Sequence, residues 1–237
     1  MITIRRAAER GHADHGWLRT YHSFSFADYH DPEHVHFRGL RVLNEDYVAP
    51  ARGFGSHPHR DMEILTWILA GELQHKDSMG NGSVIRPGEV QVMSAGTGVT
   101  HSEHNPSPTT TVHLLQIWIF PRAKNLPPRY EQASVGDLAH SALHRIAGPR
   151  TSQATTVLEA DAEVFVARLS AGDSVEHVLA AGRGAWLQVA RGAVRLSGAD
   201  RNGVELIAGD GAAVEAEARL RIVGQQPGSE VLLFDLG

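Results

Sequence analysis

Two short segments in the first half of the chain offer the residue types of a metal site. His57 and His59 are separated by one proline, and His101 and Glu103 are separated by one serine. Residues i and i+2 of a β-strand point to the same face of the sheet. Two strands of an antiparallel barrel could therefore direct three imidazoles and one carboxylate into a shared interior.

Such a ligand set favours particular chemistry. Three neutral imidazoles and one carboxylate leave two positions of an octahedron open, which suits Fe(II), Mn(II), Ni(II), Co(II) or Cu(II). A redox-capable ion with two open positions can bind a chelating or enolate-like substrate and dioxygen side by side. The chain has no cysteine, so thiolate ligands, disulfides and a cysteine nucleophile are excluded.

The sequence around these residues predicts short antiparallel strands. A β-branched and aromatic run covers residues 64–69, and shorter apolar runs cover 84–85 and 90–93. Glycine and proline separate the runs too often for a helical period to persist, so a small barrel or jelly roll is favoured. Pro58 places its own segment on an edge strand or a bulge, because proline cannot donate to a central ladder.

Other strands follow from the same kind of pattern. Residues 110–120 form the strongest predicted strand, with successive side chains on opposite faces. Residues 2–5 could form an edge strand. We expect further strands at 39–44 and 47–49, separated by an acidic turn at 45–46.

The second half repeats the first. Gly71 and Gly88 are 17 residues apart, as are Gly192 and Gly209, and a Trp-containing apolar run precedes Gly71 and Gly192. The offset between the halves is 121 residues, which indicates one supersecondary unit used twice. At this offset His57, His59, His101 and Glu103 correspond to the following residues: Val178, Ala180, Ile222 and Gly224. None of these can bind a metal. His177 lies nearby, and we expect it on the opposite strand face.

The text of both segments resembles a known family. FGSHPHRDMEIL at 54–65 and SAGTGVTHSEHNP at 94–106 resemble the pirin family, in its bacterial branch of quercetin 2,3-dioxygenase-like proteins. The similarity extends from residues 15–32 through QIWIFP at 116–121. It implies an all-β bicupin fold with two antiparallel jelly-roll barrels packed together and few short helices. We expect a metal-binding cupin at 1–125, a linker at 126–149 and a second cupin without metal ligands at 150–237.

In that family the two His of the HPH motif and the His and Glu of the H-x-E motif hold the metal. The resemblance therefore implies His57, His59, His101 and Glu103 as ligands of one divalent transition metal. Fe(II) is the favoured ion, with Ni, Mn, Co, Cu or Zn as alternatives. Glu63 competes with Glu103, because in many cupins the carboxylate of the first motif is the ligand. It would otherwise lie behind the ligands or pair with Arg60.

The implied activity is that of a quercetin 2,3-dioxygenase, an oxidoreductase that incorporates O2. A flavonol such as quercetin would bind the metal through its 3-hydroxyl, with Glu103 as the base, and cleavage would release carbon monoxide. Trp67, Gln116 and phenylalanines could form an apolar wall. Two alternatives stay open. One is a pirin-like regulatory or redox-sensing protein with little or no turnover, and the other is a different cupin reaction, such as isomerisation with Zn(II), that consumes no dioxygen.

Charge and hydrophobicity of the sequence indicate which classes of partner are not expected. The net charge is −5 with no basic cluster, so no nucleic-acid partner is expected. No run approaches the ~20 apolar residues of a membrane span and the N-terminus lacks a signal peptide's apolar core, so we expect a cytoplasmic protein without a membrane partner. A monomer is the expected state.

Overall fold

The computed structural model describes residues 1–136, 138, 141–199 and 202–237. These residues form short strands and one 3₁₀ helix, Ala7–Glu9. The first twelve strands are β1 (Ile2–Arg5), β2 (Gly11–Asp14), β3 (Leu18–His22), β4 (Leu40–Val48), β5 (Gly53–His59), β6 (Glu63–Ala70), β7 (Leu73–Asp77), β8 (Gly82–Ile85), β9 (Glu89–Ser94), β10 (Val99–His104), β11 (Val112–Ile119) and β12 (Arg129–Ser134). The others are β13 (His144–Gly148), β14 (Thr156–Val157), β15 (Ala162–Leu169), β16 (Ser174–Val178), β17 (Gly184–Arg191), β18 (Ala193–Ser197), β19 (Val204–Ile207), β20 (Gly211–Val214), β21 (Arg219–Gly224) and β22 (Ser229–Leu236). The predicted all-β, jelly-roll fold is confirmed.

The chain divides into two compact units. The first barrel is Gly11–Gly136 with Ala147–Asp161, and the second barrel is Met1–Arg10, Asp137–Ile146 and Ala162–Gly237. In the predicted linker, residues 129–134 form β12, which pairs with β9 of the first barrel. Residues 137, 139 and 140 of that linker, and residues 200 and 201 of the predicted second cupin, lie outside the described residues. The predicted domain limits themselves stay a prediction.

Each barrel is made of two antiparallel sheets. In the first barrel the strand orders are β12-β9-β6-β11-β4-β3-β2 and β5-β10-β7-β8. In the second barrel the corresponding orders are β1-β20-β17-β22-β15 and β16-β21-β18-β19. The first five strands of the larger sheet match in the two barrels, and so do the four strands of the smaller sheet. β1 occupies in the second barrel the edge that β12 occupies in the first. The predicted repeat is therefore present in the fold.

The four glycines that reveal the repeat have the same conformational role. Gly71 and Gly192 have φ of 74° and 71°, and both Gly88 and Gly209 have φ of 87°. L-residues rarely adopt this left-handed region, because the Cβ atom crowds the backbone there. A Cβ at Gly71 would also lie 2.9 Å from the carbonyl oxygen of Thr111. These turns demand glycine, which is why the spacing is shared by both halves.

The acidic pair in β4 differs from its prediction. Glu45 and Asp46 form no turn, because β4 runs unbroken from Leu40 to Val48 and both side chains are buried. Their partners come from neighbouring strands. His113 Nε2 lies 2.9 Å from Glu45 Oε1, and Thr20 hydrogen-bonds the Asp46 carboxyl. Such partners are distant in sequence, so local composition alone could not reveal them.

Candidate metal centre

The predicted histidines are brought together by the pairing of β5 with β10. His57 lies opposite His101, and His59 lies opposite Val99. β5 is at the edge of its sheet, as expected from Pro58. The centroid of the His101 ring is 4.4 Å from that of His57 and 4.8 Å from that of His59. One ring nitrogen of each of the three residues lies within 4.8 Å of the others, close enough for them to share an ion.

Two of the three imidazoles, those of His59 and His101, are suited to act as neutral ligands. Burial and the nearby His57 lower the pKa of His59 to about 4. Burial lowers the pKa of His101 to about 3, with His57 and His59 as further causes. At neutral pH both rings therefore carry a lone pair, which metal coordination requires.

The nitrogens that face the cluster are free to coordinate. His57 Nδ1 donates its proton to the carbonyl oxygen of Gly55, at 2.7 Å, so its Nε2 is left with a lone pair. His101 Nε2 is buried and has no hydrogen-bond partner among the described residues. A buried polar atom without a partner is costly in an apolar interior, and an ion would satisfy it. The donor set thus fits a divalent transition metal.

Glu103 lies on the same face of β10 as His101, although a bulge separates the two in the pairing with β5. Its carboxylate belongs to a second close group, with His75 and His101, and not to the group that contains His57 and His59. Gln116 Nε2 donates to Glu103 Oε2 at 2.9 Å, and Thr66 Oγ1 donates to Gln116 Oε1 at 3.1 Å. These two successive hydrogen bonds fix the orientation of the Glu103 carboxyl.

Burial raises the pKa of Glu103 to about 7, although the hydrogen bond from Gln116 lowers it, and the neighbouring Asp46 raises it further. Burial likewise raises the pKa of Asp46 to about 7. Carboxyls with strongly raised pKa values are concentrated at functional sites, so Glu103 and Asp46 are candidates for proton transfer.

Glu63, the competing carboxylate, is elsewhere. It is buried in β6, where Ser94 Oγ donates to Glu63 Oε2 at 2.8 Å and the backbone N–H of Glu159 donates to the same oxygen at 3.1 Å. Neither close group of potential ligands includes it. Arg60 pairs with Asp61 and donates to Asn125, so the predicted Glu63–Arg60 ion pair is absent. Glu63 anchors the residue 159 segment to β6.

A cavity of about 180 Å³ opens beside the candidate ligands. It is lined by His15, Leu18, Thr20, His22, Phe26, Ala27, Asn44, Asp46, Phe54, His57, His59, Glu103, Gln116 and Trp118. Trp118 packs edge-on against His59 at 4.8 Å and against Phe26 at 5.4 Å, measured between ring centroids. We call this cavity the aromatic cavity, because the rings of Trp118 and Phe26 form its apolar side next to the histidines.

The predicted wall was right for Gln116 and wrong for Trp67. Trp67 is fully buried in β6 and does not line the aromatic cavity. Trp118 takes that place, and the sequence analysis missed it together with Asp46. The signal for Trp118 was present, because it follows Gln116 by two residues in β11 and so shares its face.

The counterpart positions in the second barrel differ from those predicted. Leu220 lies opposite His177 as His101 lies opposite His57. Ile222 lies opposite Leu196 as Glu103 lies opposite His75. The following counterparts result: His177, Leu179, Leu220 and Ile222. The turns between these strands differ in length in the two barrels, so the offset is 120 at His57 and 119 at His101 and Glu103 instead of a uniform 121. The expectation that His177 faces away is wrong: its Nε2 bonds Asp235 Oδ2 at 2.7 Å, while Val178 is exposed.

Comparison with known proteins agrees with this geometry. The Pirin family model matches residues 3–119, and the model of the quercetinase C-terminal cupin domain matches residues 145–236. A protein of Escherichia coli K12 named quercetin 2,3-dioxygenase is 44% identical over 236 residues, which cover 100% of this chain and 99% of that protein. The chain belongs to the pirin family.

Solved structures give the same result. The crystal structure of YhhW from Escherichia coli superposes with a TM-score of 0.94 at 44% identity and covers 100% of this chain and 98% of that one. A second structure, bacterial pirin YhhW in complex with nickel(II), has a TM-score of 0.91 at 44% identity, with 100% and 99% of the chains covered. Among the described residues of this pirin, no helix has the length and apolar character needed to cross a bilayer.

Proposed function

We propose that this pirin is a metal-dependent dioxygenase that cleaves a flavonol such as quercetin with O2 and releases carbon monoxide. The observation that carries the proposal is the cluster of His57, His59 and His101 beside the aromatic cavity. The name of the Escherichia coli relative and the nickel(II) complex of YhhW support it.

The proposed ligands are His57, His59, His101 and Glu103, and the proposed ion is Fe(II), with Ni, Mn, Co, Cu or Zn as alternatives. When bound, such an ion supplies a Lewis acid for a substrate hydroxyl and a centre at which dioxygen can react. Affinity alone does not select among these ions, so ligand geometry and metal supply decide which one is bound.

Glu103 is the proposed base for the flavonol 3-hydroxyl proton. A pKa near the working pH lets a carboxyl accept and release a proton readily, and burial gives Glu103 that property. Gln116 donates to the carboxylate from the side of β11 and is itself held by Thr66. The base is thus oriented before substrate arrives.

The aromatic cavity suits a flat, hydroxylated ring system. Trp118 and Phe26 offer apolar ring surface. Asp46 Oδ1 and Trp118 Nε1 are buried at this cavity and have no hydrogen-bond partner among the described residues. One accepts and the other donates, so a substrate with both hydroxyl and carbonyl oxygens would satisfy both.

The test is turnover by protein purified without an affinity tag and loaded separately with Fe(II), Ni(II), Mn(II), Co(II), Cu(II) or Zn(II). We expect quercetin loss, oxygen uptake and carbon monoxide release in equal amounts with at least one redox-capable ion, and none under anaerobic conditions. Metal binding without oxygen uptake for every ion would overturn the dioxygenase and favour the regulatory alternative. Product formation without dioxygen would favour a non-oxidative cupin reaction.

A further inference from the structure

His75 is a buried histidine next to the candidate metal centre that the proposed reaction does not use. It lies on β7 opposite Glu103, and its side chain is 0% exposed. Its ring stacks on Tyr130 with the centroids 4.7 Å apart. Its Nε2 is 3.1 Å from Asp77 Oδ2, and its Nδ1 is 3.4 Å from His101 Nδ1. His75 therefore joins a buried carboxylate to one of the proposed ligands.

The direction of these hydrogen bonds follows from Asp77. Its carboxylate accepts from the backbone N–H groups of Met79 and Asn81, at 2.9 and 3.0 Å, and from the Asn81 side-chain amide, at 2.9 Å. Burial alone would raise the pKa of Asp77, but these donors and His75 lower it below its usual value. An ionised carboxylate can only accept. His75 Nε2 must therefore carry the proton in its bond to Asp77.

The proton on His75 Nε2 determines the direction of the hydrogen bond between His75 and His101. The His75 ring is completely buried and already donates its Nε2 proton to Asp77, so its Nδ1 is left to accept a hydrogen bond. His101 Nδ1 must then be the donor in the contact between the two rings. A neutral His101 with its proton on Nδ1 has a bare Nε2, and Nε2 is the buried atom without a partner.

We propose that Asp77 and His75 are positioning residues that fix the tautomer of His101, so that Nε2 is presented to the metal. A neutral imidazole can otherwise carry its proton on either nitrogen, and only a bare nitrogen can bind an ion. The backbone carbonyl of Gly55 does the same for His57. The inference rests on the proposed metal centre, but not on the flavonol reaction.

A matched pair of variants tests this role. In His75→Asn the side-chain oxygen lies where Nδ1 was, so it can still accept from His101. His75→Leu has nearly the same size and cannot accept. We expect His75→Leu to weaken Ni(II) binding about 10- to 100-fold, the usual effect of losing a group that orients a ligand. His75→Asn should recover most of that affinity.

Two readouts separate this role from packing. Nickel affinity is measured on untagged full-length protein by competition with a chelator. The ¹⁵N chemical shifts of the imidazoles in metal-free, histidine-labelled protein report which nitrogen of His101 is protonated. We expect the Nδ1–H tautomer in the wild type and in His75→Asn, and a mixture in His75→Leu. The His57 shifts should not change, which also shows that each variant is folded.

A second pair of variants separates the hydrogen bond between His75 and Asp77 from the role of Asp77 in its own turn. Asp77→Asn removes the charge that holds the His75 proton, whereas Asn81→Ala disturbs the same turn without touching His75. We expect about tenfold weaker nickel binding for Asp77→Asn and little change for Asn81→Ala. Equal losses for the two would assign the effect to the turn.

The proposal is overturned if His101 of the wild type is protonated on Nε2, or if His75→Leu and His75→Asn lose nickel affinity equally. Failure of the wild type to bind Ni(II) would instead overturn the metal centre, while the tautomer measurement on metal-free protein would still decide the role of His75.

Discussion

The two barrels share one arrangement of strands and have opposite interiors. At four equivalent positions the first barrel has His57, His59, His101 and Glu103. The second barrel has these residues instead: His177, Leu179, Leu220 and Ile222. The last three belong to one cluster of buried apolar side chains that includes Leu187, Leu196 and Leu233. The jelly roll is therefore stable without a polar interior.

The comparison shows that the polar interior of the first barrel lowers its stability. Buried imidazoles and carboxyls are poorly solvated, and unpartnered polar atoms such as His101 Nε2 reduce stability. Real proteins break packing rules mainly at functional sites. The polar cluster is thus best explained by a ligand, and each prediction below tests whether function is confined to that barrel.

The largest effect should come from removing a proposed ligand. Replacing His57, His59 or His101 with Ala should leave untagged protein almost without metal, because each change removes one of four ligands. His177→Ala, at the position equivalent to His57, should leave metal content unchanged. Metal content is measured by elemental analysis after loading. A wild-type content near two ions per chain would contradict the single-site proposal.

The next effect separates the two glutamates. Glu103→Gln keeps the volume and an oxygen donor but loses the anion and the proton acceptor. Flavonol turnover should fall by more than ~10²-fold, and metal should bind more weakly. Glu63→Gln should change both by about tenfold at most, because Glu63 holds Ser94 and Glu159 rather than the cluster. If Glu63→Gln loses metal while Glu103→Gln stays loaded and active, the ligand assignment is reversed.

Core truncation should affect the barrels differently. Leu220→Ala removes a fully buried side chain from a packed interior, and we expect a loss of about 3 kcal/mol in the free energy of unfolding. His101→Ala, at the equivalent place in the first barrel, should be less destabilising in metal-free protein, because removal of the unpartnered Nε2 offsets part of the loss of the contact with His75. Urea unfolding of both metal-free variants measures the difference, and equal losses would remove the contrast between the interiors.

The smallest predicted effect is a pH dependence of stability. The pKa of Asp46 is about 7 when folded, well above its ordinary 3.8. The folded state therefore holds this proton more tightly, and ionisation destabilises it as pH rises from about 4 through about 7. Asp46→Asn has no such ionisation, so it should be more stable than the wild type above pH 7, by roughly 1–3 kcal/mol. The advantage should vanish near pH 4.

A carboxylate of the second barrel provides the control for this pH dependence. Burial alone would raise the pKa of Asp235, but hydrogen bonds from His177 and Arg183 lower it below 3.8. Its contribution is therefore present above about pH 4 and lost as pH falls further. Asp235→Asn should be less stable than the wild type at pH 7, the opposite sign to Asp46→Asn. Thermal unfolding of both variants between pH 4 and pH 8 measures this contrast.

The sequence predicted the features that depend on local backbone chemistry. The four glycines have the left-handed φ that their turns require, and Pro58 lies on an edge strand. The long alternating run became β11, and residues 2–5 became β1 at a sheet edge. The grouping of His57, His59 and His101 followed from strand periodicity and the family motifs together.

The predictions that failed concern features that depend on contacts between residues distant in sequence. The acidic pair in β4 is stabilised by His113 and Thr20, which no local pattern identifies. The counterparts in the second barrel depend on the register of β16 against β21, and a turn that is one residue longer or shorter shifts this register. Residues 129–134 look like a polar connection, yet β9 provides an edge to which they pair.

The edge position of β5 also has a kinetic consequence. β5 carries two of the proposed ligands and, among the described strands, is hydrogen-bonded to β10 alone. Edge strands can open locally at a lower free energy than global unfolding requires. Fraying of β5 would release His57 and His59 together while the rest of the barrel stays folded. The residence time of the proposed ion would then follow the lifetime of this one strand pairing, and the apo protein could be reloaded without refolding.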